Sequence, residues 1–204
     1  MGTRQLRECG IGRTQTLRVI AGQYRSRPLR SLRGMDIRPT ADRLRETLFN
    51  VATAGNAASL EGTVWIDLFA GTGAVGIEAL SRGAAKVYFV ESSAAAAKVI
   101  RQNLKSLQVE SGFEVVQNDA LKALRRLQAE GVVVDFVFLD PPYRMERAYR
   151  EILKFLGEAT IVKAEGSVIA EHEKRLNPGD EFGGLKTARK LVQGDAALRF
   201  YRRS

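Results

Sequence analysis

The apolar positions of this chain fall into short dense runs at residues 64–70, 86–91, 113–117, 132–139 and 166–172. These runs are rich in valine, isoleucine, phenylalanine and tyrosine and far too short for a membrane span, which is the signature of strands in a sheet covered on both faces. Between them the apolar spacing changes to the helical period. Residues 77–81 open a helix after a glycine-rich stretch. Residues 94–107 carry Ala96, Val99, Ile100, Leu104 and Leu107 on one face, and residues 147–156 predict a further helix. Strands alternating with helices predict a doubly wound, mostly parallel α/β sheet. At the carboxyl end, residues 187–192 and 196–201 flank Gln193-Gly194-Asp195 and read as a closing hairpin, the antiparallel end of a seven-stranded sheet. Ahead of the first parallel strand, residues 17–25 predict a strand and residues 27–30 a turn into a second short one. Thr40 is placed to cap a helix bearing Leu44, Leu48 and Val51 on one face.

Chemistry collects at the strand exits. Val134 to Leu139 ends in Asp140-Pro141-Pro142-Tyr143, and two prolines cannot continue a ladder, so Asp140 and Tyr143 are delivered at the carboxyl edge of the sheet. Open α/β folds bind their ligands at that edge. Asp67, Glu91, Asp119 and Asp140 each stand at or near the exit of a successive strand, a fourfold coincidence that points to one shared ligand. Gly71, Gly73 and Gly76 have the G-x-G-x-x-G spacing of a nucleotide-binding turn, and Glu91, eighteen residues beyond Gly73, is where an acid takes ribose hydroxyls. Glycines alone do not separate a dinucleotide site from another adenosine site. Asn118, Asp119 and Ala120 are suited to an adenine edge. His172, the single histidine, has no companion for metal or triad chemistry and reads as a structural residue.

Asp140-Pro141-Pro142-Tyr143 resembles the fourth motif of the amino-group methyltransferases that use S-adenosylmethionine, and Asp67 with the glycines resembles their first. The residue types suit that chemistry. An exocyclic base amine is a poor nucleophile because its lone pair is delocalised into the ring. The Asp140 carboxylate and Pro141 carbonyl can accept its two N–H bonds and aim the lone pair at a methyl group. Tyr143 would stack on a base drawn out of its helix.

Composition narrows the partner. The chain has 204 residues, enough for one sizeable domain with a small appendage, and its net charge of +9 with pI near 10.0 points to a polyanion. That charge is concentrated: residues 1–50 hold eleven arginines, no lysine and four acids. Arg18, Arg25, Arg27, Arg30 and Arg33, with Tyr24 among them, form a single-sign run suited to phosphate and base contacts, so RNA contact is expected there. Cys9 is the only cysteine, which excludes an internal disulfide and cysteine-pair metal sites. A basic leader at 1–16 lacks an apolar core, so no secretory signal or membrane anchor is expected, and a cytoplasmic monomer is. The expected organisation is a leader at 1–16, a basic hairpin and helix at 17–55, and a catalytic domain at 56–204.

Taken together, the chain is similar to the RsmD family, small bacterial methyltransferases that modify the guanine N2 amine of small-subunit (16S) rRNA. The resemblance rests on Arg18-Val19-Ile20-Ala21-Gly22, Arg38-Pro39-Thr40 with Asp42-Arg43 and Arg45-Glu46, Asp67 through Gly73, Leu80-Ser81-Arg82-Gly83-Ala84, Asp140 through Tyr143, and Leu198-Arg199-Phe200-Tyr201. It implies a Rossmann-like class I methyltransferase fold and S-adenosyl-L-methionine as cofactor, with no metal. The cofactor contacts it implies are Arg38, Pro39, Thr40, Asp67, Phe69, Ala70, Gly71, Thr72, Gly73, Glu91, Ser92, Asn118, Asp119, Ala120 and Asp140. Asp140, Pro141, Pro142 and Tyr143 would form the catalytic pocket. Two alternatives remain open at this level: an adenine or cytosine amino-group DNA methyltransferase, disfavoured because no separate target-recognition domain is present, and a non-catalytic RNA-binding assembly factor.

Overall fold

A computed structural model describes residues 17–32, 39–54, 57–142 and 145–203. The leader 1–16, Arg33, Arg38 and Tyr143 lie outside the described residues. Four strands, β1 (Val64–Leu68), β2 (Lys86–Val90), β3 (Phe113–Val116) and β4 (Val134–Leu139), run parallel with β5 (Val162–Glu173). The hairpin of β7 (Leu185–Gln193) and β8 (Ala196–Arg203) joins β5 in antiparallel fashion through β8. A two-residue β6 (Glu181–Phe182) pairs with the start of β7 and makes the sheet eight-stranded, one more than the seven expected. The order is β3-β2-β1-β4-β5-β8-β7-β6. Strand succession reverses between β1 and β4, which creates the crevice where such sheets bind ligands.

Side chains alternate across the strands and bury two separate cores. Trp65, Phe89, Phe138 and Ile169 pack with α1 (Pro39–Ala52), α2 (Ala74–Ser81) and α3 (Ala94–Ser106), through Leu44, Leu48, Ile77 and Ile100. On the other face Ile66, Leu68, Val137 and Ala170 meet Leu124 and Leu127 of α4 (Ala120–Ala129) and Leu153 and Leu156 of α5 (Glu146–Glu158). Helix α4 is not among the elements predicted above; Asp119 caps it, accepting from Leu121 N and Lys122 N at 3.0 and 3.1 Å.

The amino-terminal segment departs from expectation. Among the described residues only an isolated Arg18–Pro28 bridge forms where the composition predicts two strands. The reason lies in α2. The amides of Ile20 and Ala21 donate to the Glu78 carboxylate at 2.7 and 2.9 Å, and those of Gln23 and Tyr24 donate to Ser81, so these donors are not free to extend a ladder. Helix α1 begins at Pro39, so Thr40 is inside it and is not the cap; a proline's missing N–H costs nothing at a first helical position.

Helix α2 is held against the sheet by a glycine. A Cβ at Gly76 would stand 2.3 Å from the Phe89 ring and 2.8 Å from Val87, both fixed in β2. Gly76→Ala is therefore expected to destabilise the fold by about 1–3 kcal/mol through overpacking, read as a lower urea midpoint at unchanged slope. An unchanged midpoint would mean that α2 lifts freely from β2.

Candidate active site

The carboxyl ends of β1, β2, β3 and β4 open into one cavity of about 660 Å³, a size typical of small-ligand sites. Asp67, Glu91, Asp119 and Asp140 all line it, and so do Phe69, Ala70, Gly71, Thr72, Ser92, Asn118, Ala120, Pro141 and Pro142. Among the described residues the structure thus brings together every expected site residue of the sheet edge except Gly73, which is the left-handed cap of α2 (φ 78°); Tyr143 lies outside them.

The local sequence explains the placement. Residue pairs two apart share a face, so Trp65 and Asp67, Phe89 and Glu91, and Phe138 and Asp140 point the same way. Each pair puts an apolar anchor in the α1–α3 core and a carboxylate at its rim. The glycine turn is organised by two of these acids. Asp67, almost fully buried, accepts from Gly76 N at 2.9 Å. Glu91 accepts from Gly71 N at 2.9 Å through one oxygen and from Ser93 N at 2.8 Å through the other. Each Glu91 oxygen retains capacity for a second bond, as ribose hydroxyls require. Phe69 and Gly71 both adopt left-handed backbone (φ 60° and 53°), a conformation costly for phenylalanine and one that clusters at functional turns.

The electrostatics are unusual for carboxylates. Burial pushes Asp67 up to about 7, aided by the charges of Asp140 and Glu91 and opposed by the Gly76 amide. Asp140 is pushed up by burial as well. Glu171, at the end of β5, is raised by burial first and then by Asp140, with Arg45 acting against both. Clusters of perturbed acids in a cleft mark functional sites.

Two wall residues were not singled out from the sequence as site residues. Glu171 follows Ile169 by two, the same apolar-then-acid pattern as the other strand ends, and that signal was legible. Arg45 of α1 also lines the cavity. It donates to Arg18 O at 2.6 Å and Asp42 Oδ1 at 3.0 Å, while its buried Nε has no hydrogen-bond partner among the described residues. A buried donor of this kind fits an anionic group on a bound ligand. Leu17, Leu32, Leu48, Phe138 and Met145 supply an apolar wall that could cover a flat ring. His172 is fully buried, its Nδ1 2.7 Å from Glu173 O and its ring edge-on to Tyr149.

The basic segment divides. Arg18, its side chain 60% exposed, lies beside Asp42 on α1 near the cavity. Tyr24, Arg25 and Arg27 sit at the opposite end of α2 and α3, where Tyr24 packs against the core and Arg27 donates to Ser106 O at 2.9 Å. Arg30 is exposed, its guanidinium 3.4 Å from Gln102 Oε1 on α3. Among the described residues no helix is long and apolar enough to cross a membrane.

Comparison with known proteins agrees with this geometry. The family model described as "Conserved hypothetical protein 95" matches residues 17–202. "Ribosomal RNA small subunit methyltransferase D" of Escherichia coli is 33% identical over 187 residues, covering 92% of this chain and 90% of that protein. Its namesake in Haemophilus influenzae is 36% identical over 159 residues, covering 78% and 79%. The solved structure of a candidate methyltransferase of Escherichia coli, yhhF, superposes with a TM-score of 0.76 at 32% identity, covering 93% of this chain and 99% of that one. With a matching family model over nearly the whole sequence and a class I methyltransferase sheet ending in a shared acidic cavity, this chain belongs to the RsmD family of methyltransferases.

Proposed function

We propose that this protein transfers a methyl group from S-adenosyl-L-methionine to the N2 amine of a guanine in small-subunit rRNA. The observation that carries the reading is the convergence of Asp67, Glu91, Asp119 and Asp140 on one cavity, with Asp140-Pro141-Pro142 at the point where strand order reverses. The names of the relatives support rRNA as the substrate.

Bound there, the cofactor supplies an electrophilic methyl group on a sulfonium. Glu91 takes the ribose hydroxyls, Asn118, Asp119 and Ala120 the adenine, and the turn from Phe69 to Gly73 lets main chain approach the amino-acid moiety, with Ser92, Pro39 and Thr40 adjoining. Asp140 and the Pro141 carbonyl accept the two N–H bonds of the target amine, fixing its lone pair toward the methyl group. Pro142 holds that carbonyl in place, and Tyr143 stacks on the extruded base. Arg18, Arg25, Arg27, Arg30 and Arg33 bind phosphates along an extended RNA surface and Tyr24 braces it, whereas Arg38 closes with Pro39 and Thr40 over the cofactor.

The test offers labelled S-adenosylmethionine with purified small ribosomal subunits, naked 16S rRNA and duplex DNA. Label is expected in rRNA, recovered as N2-methylguanosine on nucleoside analysis. Label in DNA, or in N6-methyladenosine, would replace this reading with an adenine amino-group enzyme. Cofactor binding by calorimetry without transfer to any of the three would favour a non-catalytic role.

A further inference from the structure

Glu171 is placed where the proposed reaction has an unmet need. In the register of β4 against β5, Phe138 faces Ile169 and Leu139 faces Ala170, so Asp140 and Glu171 follow as the next pair. Phe138 and Ile169 belong to the same core, which puts both carboxylates on the same face, and both line the cavity. On β8 the residue opposite Glu171 is Leu198, which brings no charge. Among the described residues the other charged groups around the pair are Asp67 of β1, Glu91 beyond β2, Asp119 at the head of α4, and Arg45 of α1. Arg45 is already engaged by Asp42 and lies 3.9 Å from Glu78, so it does not neutralise two further acids. From α5, the Tyr149 hydroxyl is 2.6 Å from the main-chain oxygen of Glu171 and fixes the strand end. Two neighbouring, poorly solvated carboxylates, with Arg45 preoccupied and the only cation beside them among the described residues, cannot both ionise readily.

We propose that Glu171 is a second carboxylate of the active site, sharing one proton with Asp140, so that the pair takes up the proton the target amine loses on methylation. The inference rests on the amino-group methyltransferase reading above. The balance is complete. The amine lone pair forms the new N–C bond while the C–S bond breaks, its electrons remaining on sulfur as a neutral thioether. The nitrogen, now cationic, gives one proton to the Asp140 carboxylate. The pair, singly charged before the step, is neutral after it and returns the proton to solvent as product leaves. Burial, which raises both groups, is what makes that neutral state accessible near neutral pH, and the Asp140 charge, which raises Glu171 further, keeps the shared proton on the pair.

The sign follows. Asp140 grips the amine only when ionised, so the rate falls as pH drops through the pair's titration. In Glu171→Gln the shared proton that holds the Asp140 carboxylate in its ionised form is gone and an amide is a weaker donor, so Asp140 ionises less easily and the inflection of the single-turnover pH–rate profile moves up by about one pH unit. The plateau falls on the order of ten-fold, less than the ~10²–10⁴-fold of a general acid or base because Asp140 itself still accepts the proton. Glu171→Asp, which keeps the carboxylate, restores the wild-type inflection. A substrate-free measurement accompanies this: infrared titration of the carboxylic-acid band in wild type, Asp140→Asn, Glu171→Gln and the double variant, whose residual band, Asp67 included, is the baseline. Removing either acid should replace the two separated wild-type midpoints by one that lies between them. Independent midpoints, or an unmoved pH–rate inflection in Glu171→Gln, would overturn the proposal. Failure of the wild type to methylate any RNA would instead reject the rRNA reading, and the reciprocal titration would still decide the pair.

Discussion

Asp140→Ala should reduce methyl transfer by roughly 10²–10³-fold or more, the scale of removing one preorganised hydrogen-bonding group from a reacting centre, while cofactor affinity changes little. Asp140 ends β4, on the side of β1 away from β2, so the Glu91 and Asp119 ends that would hold ribose and adenine are untouched. The variant should also fold at least as well as the wild type. Burial disfavours the ionised Asp140 carboxylate, and deleting a poorly solvated charge relieves that cost. Loss of activity with an unchanged or higher melting temperature and near-normal calorimetric binding of S-adenosylmethionine is thus the expected pattern. Wild-type turnover in Asp140→Ala would remove the residue from the mechanism. A parallel loss of cofactor binding would make it a cofactor ligand first.

The second large effect is on stability, and it falls on a residue that does not line the cavity. Glu78 of α2 is fully buried, yet its carboxylate accepts from the amides of Ile20 and Ala21 and from Arg82 Nε at 2.8 Å, with Arg45 Nε 3.9 Å away. Glu78→Ala strands two main-chain donors and leaves Arg45 and Arg82, whose side chains are 5% and 12% exposed, without their common anion. Breaking a buried ion pair by removing one partner costs about 3–5 kcal/mol, equivalent to a melting temperature lower by roughly 10 °C in a domain of this size. The segment 17–32 should become the first part of the chain to exchange its amide hydrogens. A variant within about 1 kcal/mol of wild type would show that Arg45 and Arg82 find solvent or other partners.

That clamp has a functional consequence. Arg45 lines the cavity and at the same time holds Arg18 O and faces Glu78, so one guanidinium ties the basic hairpin, α1 and α2 to the wall of the site. Docking RNA on the hairpin would therefore load the same network that borders Glu171.

Much of the molecule was legible in the order of residues. The five apolar runs that became β1 to β5 announced themselves because strands buried on both faces tolerate little but β-branched and aromatic residues. The prolines after Asp140 stopped β4 by removing ladder donors, and the glycine turn declared itself because Gly71 and Gly73 occupy left-handed backbone. These are local causes, written in local sequence. The acids at the strand ends were legible for the same reason, since period two and strand length fix which end and which face a side chain takes.

The misreadings have the opposite character. Residues 17–25 have strand composition, but their amides are claimed by Glu78 and Ser81, nearly sixty positions away. Glu171 looked like any strand-end acid until β5 came to lie beside β4, and Arg45 like any helix-surface arginine until α1 closed over the sheet. The sequence by itself determined the parallel α/β architecture, the glycine turn and four of the cavity's acids, because each depends on side-chain volume, periodicity and backbone freedom over a few neighbouring residues. Only the tertiary structure decided which charges face one another and which main-chain donors a distant carboxylate would claim, because desolvation and Coulomb energy depend on distance in space and have no period along the chain.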